Sequence, residues 1–134
     1  GHIDLAEQFA VVDAARELGV KVLMTHALET LVGPDHTLAH VVELADRGAM
    51  IEFTYLTCIP GGMAATEEPD TFAKAMMAVG PERAVMSTDF GQKKSPHPAE
   101  GMRLFIDEML RCGVPADAVS AMARTNPARL LGLA

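Results

Sequence analysis

Apolar positions recur along the chain in two alternating rhythms. Leu5, Phe9, Val12 and Ala15 to Leu18 fall at helical spacing, Asp4 and Glu7 occupy the two positions of a capping box, and Gly19 supplies a stop. A helix over 5–18 is predicted. Val20 to Thr25 is then short, apolar and β-rich, which is how a parallel strand buried on both faces reads. Gly33-Pro34-Asp35 reads as a turn with Asp35 as N-cap, and Leu38, Val41, Val42 and Ala45 form the stripe of a second helix that Gly48 ends. Ala49 to Tyr55 is a second buried strand, and Thr57 to Thr66, interrupted by Pro60-Gly61-Gly62, is a long loop after it.

The alternation continues to the C-terminus. A third helix is expected from Glu68 to Val79, broken by Gly80-Pro81, then a third strand from Ala84 to Thr88 that ends at Asp89. The loop Phe90 to His97 leads to Pro98 at a helix start, and Ala99 to Cys112 is the fourth helix. Two short helices, near Ala116 to Ala123 and Pro127 to Leu133, complete the chain, the second with Asn126 as N-cap. Strands alternating with amphipathic helices mean βαβ units and a parallel sheet, so the class is α/β. If His2 marks the end of a strand that is cut away, the count becomes four βα units, half of an eight-unit barrel.

Composition changes this picture little. A chain of 134 residues can bury roughly two thirds of its unfolded surface, and 49% apolar with 22% charged residues is ordinary for a globular domain. The net charge of −7 argues against nucleic acid or an anionic membrane as the main partner. No apolar run is long enough to span a bilayer and no basic-then-apolar leader opens the chain, so a cytoplasmic location is expected. Cys58 and Cys112 are too few and too distant for a disulfide framework or a cysteine zinc site, and both are expected to be reduced thiols. Gly1-His2 has two readings, an expression-vector scar or a natural strand end.

Candidate chemistry follows from position. In parallel α/β architectures functional groups sit at the C-terminal ends of strands. His2, His26, Glu52 and Asp89 occupy such places. Imidazole and carboxylate are the usual ligands of zinc and related divalent ions, and a site with an open coordination position activates water for hydrolysis. Adjacent strands are ~4.8 Å apart, so His2 and His26 can approach a common ion. Asp89 lies two strands further round, where only barrel closure brings it back toward the same axis.

Gly1-His2, Thr25-His26 after a Val-rich strand, Ser87-Thr88-Asp89 after another, and Asn126-Pro127-Ala128-Arg129-Leu130-Leu131-Gly132-Leu133 together resemble the second half of the amidohydrolase superfamily, including its TatD-like and phosphotriesterase-like branches. The resemblance spans essentially the whole chain. It implies one partial domain over 1–134: strands 5 to 8 of a TIM-type (β/α)8 barrel, plus short C-terminal helices. It further implies one or two divalent metal ions, zinc foremost, with His2, His26 and Asp89 as ligands and Asp89 as the catalytic general base. The family's first-strand His-x-His pair and its fourth-strand ligand have no counterpart in these residues.

Other polar residues are weighed against plainer roles. His97, between two prolines in the last strand's loop, and Glu52 are candidate substrate contacts, although Glu52 is read first as a partner for a basic neighbour. His36 and His40 have zincin spacing, but Thr37 stands where that motif needs Glu, so they are read as a solvated face. Lys93-Lys94 reads as solvated surface able to attract an anion, and the methionines as core filler.

The expected function is metal-dependent hydrolysis of a small molecule at a carbonyl or phosphoryl centre, carried out by a longer chain. The alternatives are a phosphoesterase on a related metal-binding barrel and a non-catalytic α/β module. An isolated half-barrel leaves strand edges unpaired, so either a homodimer or an N-terminal half is the expected protein partner.

Overall fold

The computed structural model describes residues 2–29, 36–59 and 67–133. Helix α1 (Leu5–Leu18) starts at a capping box: the Asp4 carboxylate accepts from the Glu7 amide at 2.8 Å, and the Glu7 carboxylate accepts from the Asp4 amide at 3.0 Å. Gly19, at φ 65°, ends it in the left-handed conformation that glycine adopts without strain. Strand β1 (Leu23–Met24), helix α2 (Leu38–Asp46), strand β2 (Met50–Thr54), helix α3 (Pro69–Val79), strand β3 (Ala84–Ser87) and helix α4 (Pro98–Arg111) follow. The chain closes with α5 (Ala116–Ser120), a π-helical segment (Ala121–Thr125) and α6 (Asn126–Leu130).

The three strands form one parallel sheet in the order β1-β2-β3, with Leu23 opposite Met50, Ile51 opposite Ala84 and Thr54 opposite Ser87. Register partners share a face in such a sheet. One face therefore carries Met24, Ile51, Phe53, Ala84 and Met86, all buried. Phe53 meets Phe72 of α3 edge-on at 5.4 Å, and just beyond β2 Tyr55 stacks on Phe105 of α4 at 4.8 Å. Those helices thus cover this face, and aromatic contacts of this kind add about 1 kcal/mol each beyond the area they bury. The other face carries Leu23, Met50, Glu52, Thr54, Val85 and Ser87. It is only partly covered: Leu23 is 37% exposed, and Met50, Glu52 and Ser87 are half-buried.

Four sequence expectations change. The first strand is paired over two residues rather than the six of Val20 to Thr25, because among the described residues β1 has a single neighbour and Val20 stands in solvent. The expected N-cap Asp35 lies outside the described residues. Thr37 is the cap of α2, in a box closed by His40, whose Nδ1 accepts from the Thr37 amide. The tail is not two helices separated by a cap at Asn126. The backbone stays helical through 116–130. Asn126 is instead buried within it and donates to the carbonyls of Pro81 and Ala84, at 2.7 Å each, so its amide ties the tail to the base of β3. At the same end of the sheet the Lys21 ammonium donates to the carbonyls of Arg129 (2.6 Å) and Leu130 (3.2 Å), closing the last turn of α6 with a cation.

The fourth change concerns His36 and His40, which are not a solvated pair. His40 caps α2, and half-buried His36 sits with its Nε2 2.6 Å from Oε1 of the fully buried Gln8. Burial first, then the neighbouring His40, pushes the His36 imidazole below its ordinary 6.5. The folded state thus binds fewer protons than the unfolded state as pH falls. The stability this group contributes is complete above ~6.5 and is lost as pH drops from there through the lower folded value. The urea midpoint is expected to fall more between pH 7.5 and 5.5 in the native sequence than in His36→Gln, which does not titrate. Equal pH slopes for the two would refute this.

Candidate functional site

The parallel pairing of β1 with β2 runs past the strand itself: the Ala27 amide donates to the Glu52 carbonyl at 3.1 Å, which fixes the backbone around His26. The chain then turns sharply. His26 and Leu28 have φ of 64° and 66°, a conformation that costs a non-glycine residue about 1 kcal/mol or more, and the Glu29 amide donates back to the His26 carbonyl at 3.3 Å. This turn brings Glu29 under the imidazole. Glu29 Oε2 is 2.8 Å from His26 Nδ1, within ion-pair distance though not aligned as a hydrogen bond. Its other oxygen accepts from the Thr54 hydroxyl at the end of β2. Glu29 is 2% exposed and Thr54 is equally buried.

Of the two imidazole nitrogens, Nδ1 is therefore the one that faces the carboxylate. Nε2 is the nitrogen left for a metal, which histidine binds through one ring nitrogen while the other faces an outer-shell group. The His2 ring lies perpendicular to it, with centroids 5.1 Å apart. The two histidines singled out in the sequence are therefore neighbours at the C-terminal end of the sheet.

Asp89 also stands where expected, directly after β3. The Leu56 amide donates to the Thr88 carbonyl at 3.1 Å, so β2 and β3 stay paired up to that point. Asp89 itself has φ 53°, and its carboxylate is exposed. Two neighbours hold the turn: the Phe90 backbone amide donates to the Thr88 hydroxyl, and Nε2 of the Gln92 side chain donates to the Asp89 carbonyl at 2.9 Å. The Phe90 ring lies 5.9 Å from Tyr55 and against Gly101 of α4. A Cβ on Gly101 would come within 2.2 Å of Phe90 Cε2, so the glycine is what lets the ring seat.

β2 separates Asp89 from His26, about 10 Å at ordinary strand spacing. Among the described residues no three His, Cys, Asp or Glu side chains converge on one point. The structure thus brings His2 and His26 together and leaves Asp89 apart. Glu52 is half-buried on the less covered sheet face and forms no ion pair among the described residues, against the expectation of a basic partner. His97 is the N-cap of α4: its Nδ1 accepts from the Ala99 amide at 3.3 Å, leaving Nε2 for any other contact. Lys93 and Lys94 are exposed. Cys58 and Cys112 are free thiols, and burial pushes the Cys58 thiol far above its ordinary range, so it acts as packing.

Glu29, Thr54 and Gly101 were not apparent as site residues in the sequence. The signal for Glu29 was its spacing, a carboxylate three positions after a strand-end histidine. For Gly101 it was a glycine in the interior of a helix, which needs a packing reason.

Residues 1–52 match the model of a family of unknown function, DUF6282. The comparison with curated proteins finds no match. Among solved structures the chain is similar to N-acetyl-D-glucosamine-6-phosphate deacetylase from Mycobacterium smegmatis, at 22% identity and a TM-score of 0.47. The match covers 92% of this chain and 41% of that one, so the chain spans less than half the length of that enzyme. No helix among the described residues is long and apolar enough to cross a membrane.

Proposed function

We propose that this chain contributes the C-terminal half of a (β/α)8 barrel to a metal-dependent hydrolase of the amidohydrolase type. The observation that carries the reading is the His2–His26 pair with Glu29 beneath His26: two imidazoles 5.1 Å apart at strand ends, one of them backed by a buried carboxylate. Such carboxylate backing is the usual outer shell of a histidine that binds a divalent ion. The donor set fits zinc or a related ion at its nitrogen side, with His2 and His26 as ligands and Asp89 as the oxygen ligand. A bound ion of this kind supplies Lewis acidity and lowers the pKa of water.

The residues divide the remaining work. Glu29 faces Nδ1 of His26 and so turns Nε2 toward the metal. Thr54 occupies the second oxygen of Glu29, so that carboxylate cannot swing away. Asp89, exposed at the end of β3, accepts the proton of the attacking water on its carboxylate oxygen. Asp89 joins the histidines when the sheet closes into a barrel. The less covered face with Leu23, Met50 and Glu52 is then the barrel interior, covered by strands beyond these residues or by a second copy of the chain. The substrate is a small molecule with a carbonyl or phosphoryl centre, met by Glu52 and by Nε2 of His97.

The test uses the full-length protein, with metal measured by elemental analysis and turnover measured on a panel of amides, lactones and phosphate esters. His26→Ala is expected to lose bound zinc and Asp89→Asn to lose turnover by at least about 100-fold. Full metal content and turnover in both variants would end this reading. Turnover confined to phosphate esters would favour the phosphoesterase.

A further inference from the structure

We propose that Gln8 is the positioning residue that sets His2 against His26, a role toward zinc that rests on the metal-dependent reading above. It does so by tying the segment that bears His2 to the far end of the loop that begins at His26. His2 stands exposed ahead of α1, and no strand pairing holds its backbone among the described residues. The backbone around His26, by contrast, is held by the bond between Ala27 and Glu52. Yet the two rings meet edge-on with centroids 5.1 Å apart.

Gln8 lies in α1 and is fully buried. Its backbone amide donates to the Asp4 carbonyl at 3.0 Å, and its side-chain Nε2 donates to the Ile3 carbonyl at 3.3 Å. The two successive carbonyls directly after His2 therefore both end on this residue. A carbonyl only accepts, which turns the amide nitrogen toward Ile3 and leaves Oε1 for His36, whose Nε2 donates to it at 2.6 Å. His36 immediately precedes Thr37, the N-cap of α2. The connection from β1 to α2 thus carries His26 near one end, beside the His2 ring, and His36 at the other, bonded to the residue that grips the backbone after His2.

An amide is an expensive way to fill that space. Burying one is unfavourable unless both its ends are bonded, and a methionine of the same length would pack there without that cost. What the amide adds is direction: a donor and an acceptor at fixed separation, which set one distance between the Ile3 carbonyl and the His36 ring. The Asp4–Glu7 capping box fixes where α1 begins but does not reach the loop of His26. Among the described residues the bond from Gln8 to His36 is the one hydrogen bond that joins residues 2–18 to residues 26–37.

The test uses the full-length protein, first freed of metal, with the contact between the His2 and His26 rings read by proton NMR. Zinc affinity is then measured against a competing chelator, well below the melting range. Gln8→Met keeps length and packing but removes both side-chain bonds. It is expected to lose the ring contact while the contacts between β1 and β2 stay, and to bind zinc about tenfold more weakly. His36→Phe, which removes the donor from the other end, should lose the same ring contact. Gln8→Met combined with His2→Ala should bind zinc no more weakly than His2→Ala alone, because Gln8 acts through His2. A ring contact that persists in both Gln8→Met and His36→Phe would overturn the proposal, and so would zinc losses from Gln8→Met and His2→Ala that simply add. Native zinc affinity in His26→Ala would instead end the metal reading, and the ring contact in the metal-free protein would still decide the role of Gln8.

Discussion

Glu29→Gln is expected to fold close to normally and to bind zinc about 10–100-fold more weakly, whereas Glu29→Ala should lose about 3 kcal/mol of stability as well. The difference follows from what each change does to the two groups that Glu29 holds. Alanine leaves the buried Thr54 hydroxyl without its acceptor and His26 Nδ1 without its carboxylate neighbour. Glutamine keeps the shape and still accepts from Thr54 through its oxygen. Its amide nitrogen then faces His26 Nδ1 and donates to it, which moves the imidazole proton to Nε2 and removes the lone pair that a metal needs. Urea unfolding combined with zinc titration separates the two effects, and nitrogen NMR of the His26 ring reads the tautomer directly. Native zinc affinity in a correctly folded Glu29→Gln variant would show that the carboxylate only stabilises the turn.

Gly101→Ala should cost about 2–3 kcal/mol, an unusual sign for a substitution that normally favours a helix by ~1 kcal/mol. The added methyl would lie 2.2 Å and 2.4 Å from two carbons of the Phe90 ring, whose centroid is 5.9 Å from that of Tyr55. Neither a ring in a packed aromatic cluster nor a helix backbone yields that distance cheaply. Phe90→Ala alone should also destabilise, by lost burial. The double variant should be more stable than the sum of the two predicts, because removing the ring removes the three closest contacts of the methyl. A double-mutant cycle by urea denaturation measures this, and strict additivity would mean that Phe90 does not seat on α4. The cycle also bears on the site, since Phe90 directly follows Asp89 and helps hold its left-handed turn.

The sequence made the helices more legible than anything else, for local reasons. Asp4, Glu7 and Gly19 fix both ends of α1, and Pro98 fixes the start of α4, because caps and breakers act within one turn of where they stand. Thr37 was missed as a cap because its box partner is histidine rather than Glu or Gln, and Asp35 drew attention in its place. Asn126 before a proline reads as a cap by every local rule. Its actual role is set by carbonyls more than forty residues earlier, and no local pattern carries that information. The strand-end positions of His26 and Asp89 were readable from the alternation of strand and helix. The left-handed backbone at both, and the carboxylate beneath His26, depend on β2 lying alongside. The separation of Asp89 from the histidines is a property of the strand order, which no local stretch of the sequence encodes by itself.

The contact between Lys21 and the carbonyls of Arg129 and Leu130 joins positions 108 and 109 residues apart. During synthesis the chain emerges at roughly 5–20 residues per second, so β1 and α1 leave the ribosome several seconds before the turn that covers their base. Until then the base of the sheet, where Val20 already stands in solvent, has neither its lysine nor its helix in place. This part of the fold is therefore sealed later than the helices that precede it in the chain. A stalled or shortened chain that stops before Asn126 would present an unsealed strand end to chaperones and proteases, however well its first helices had formed.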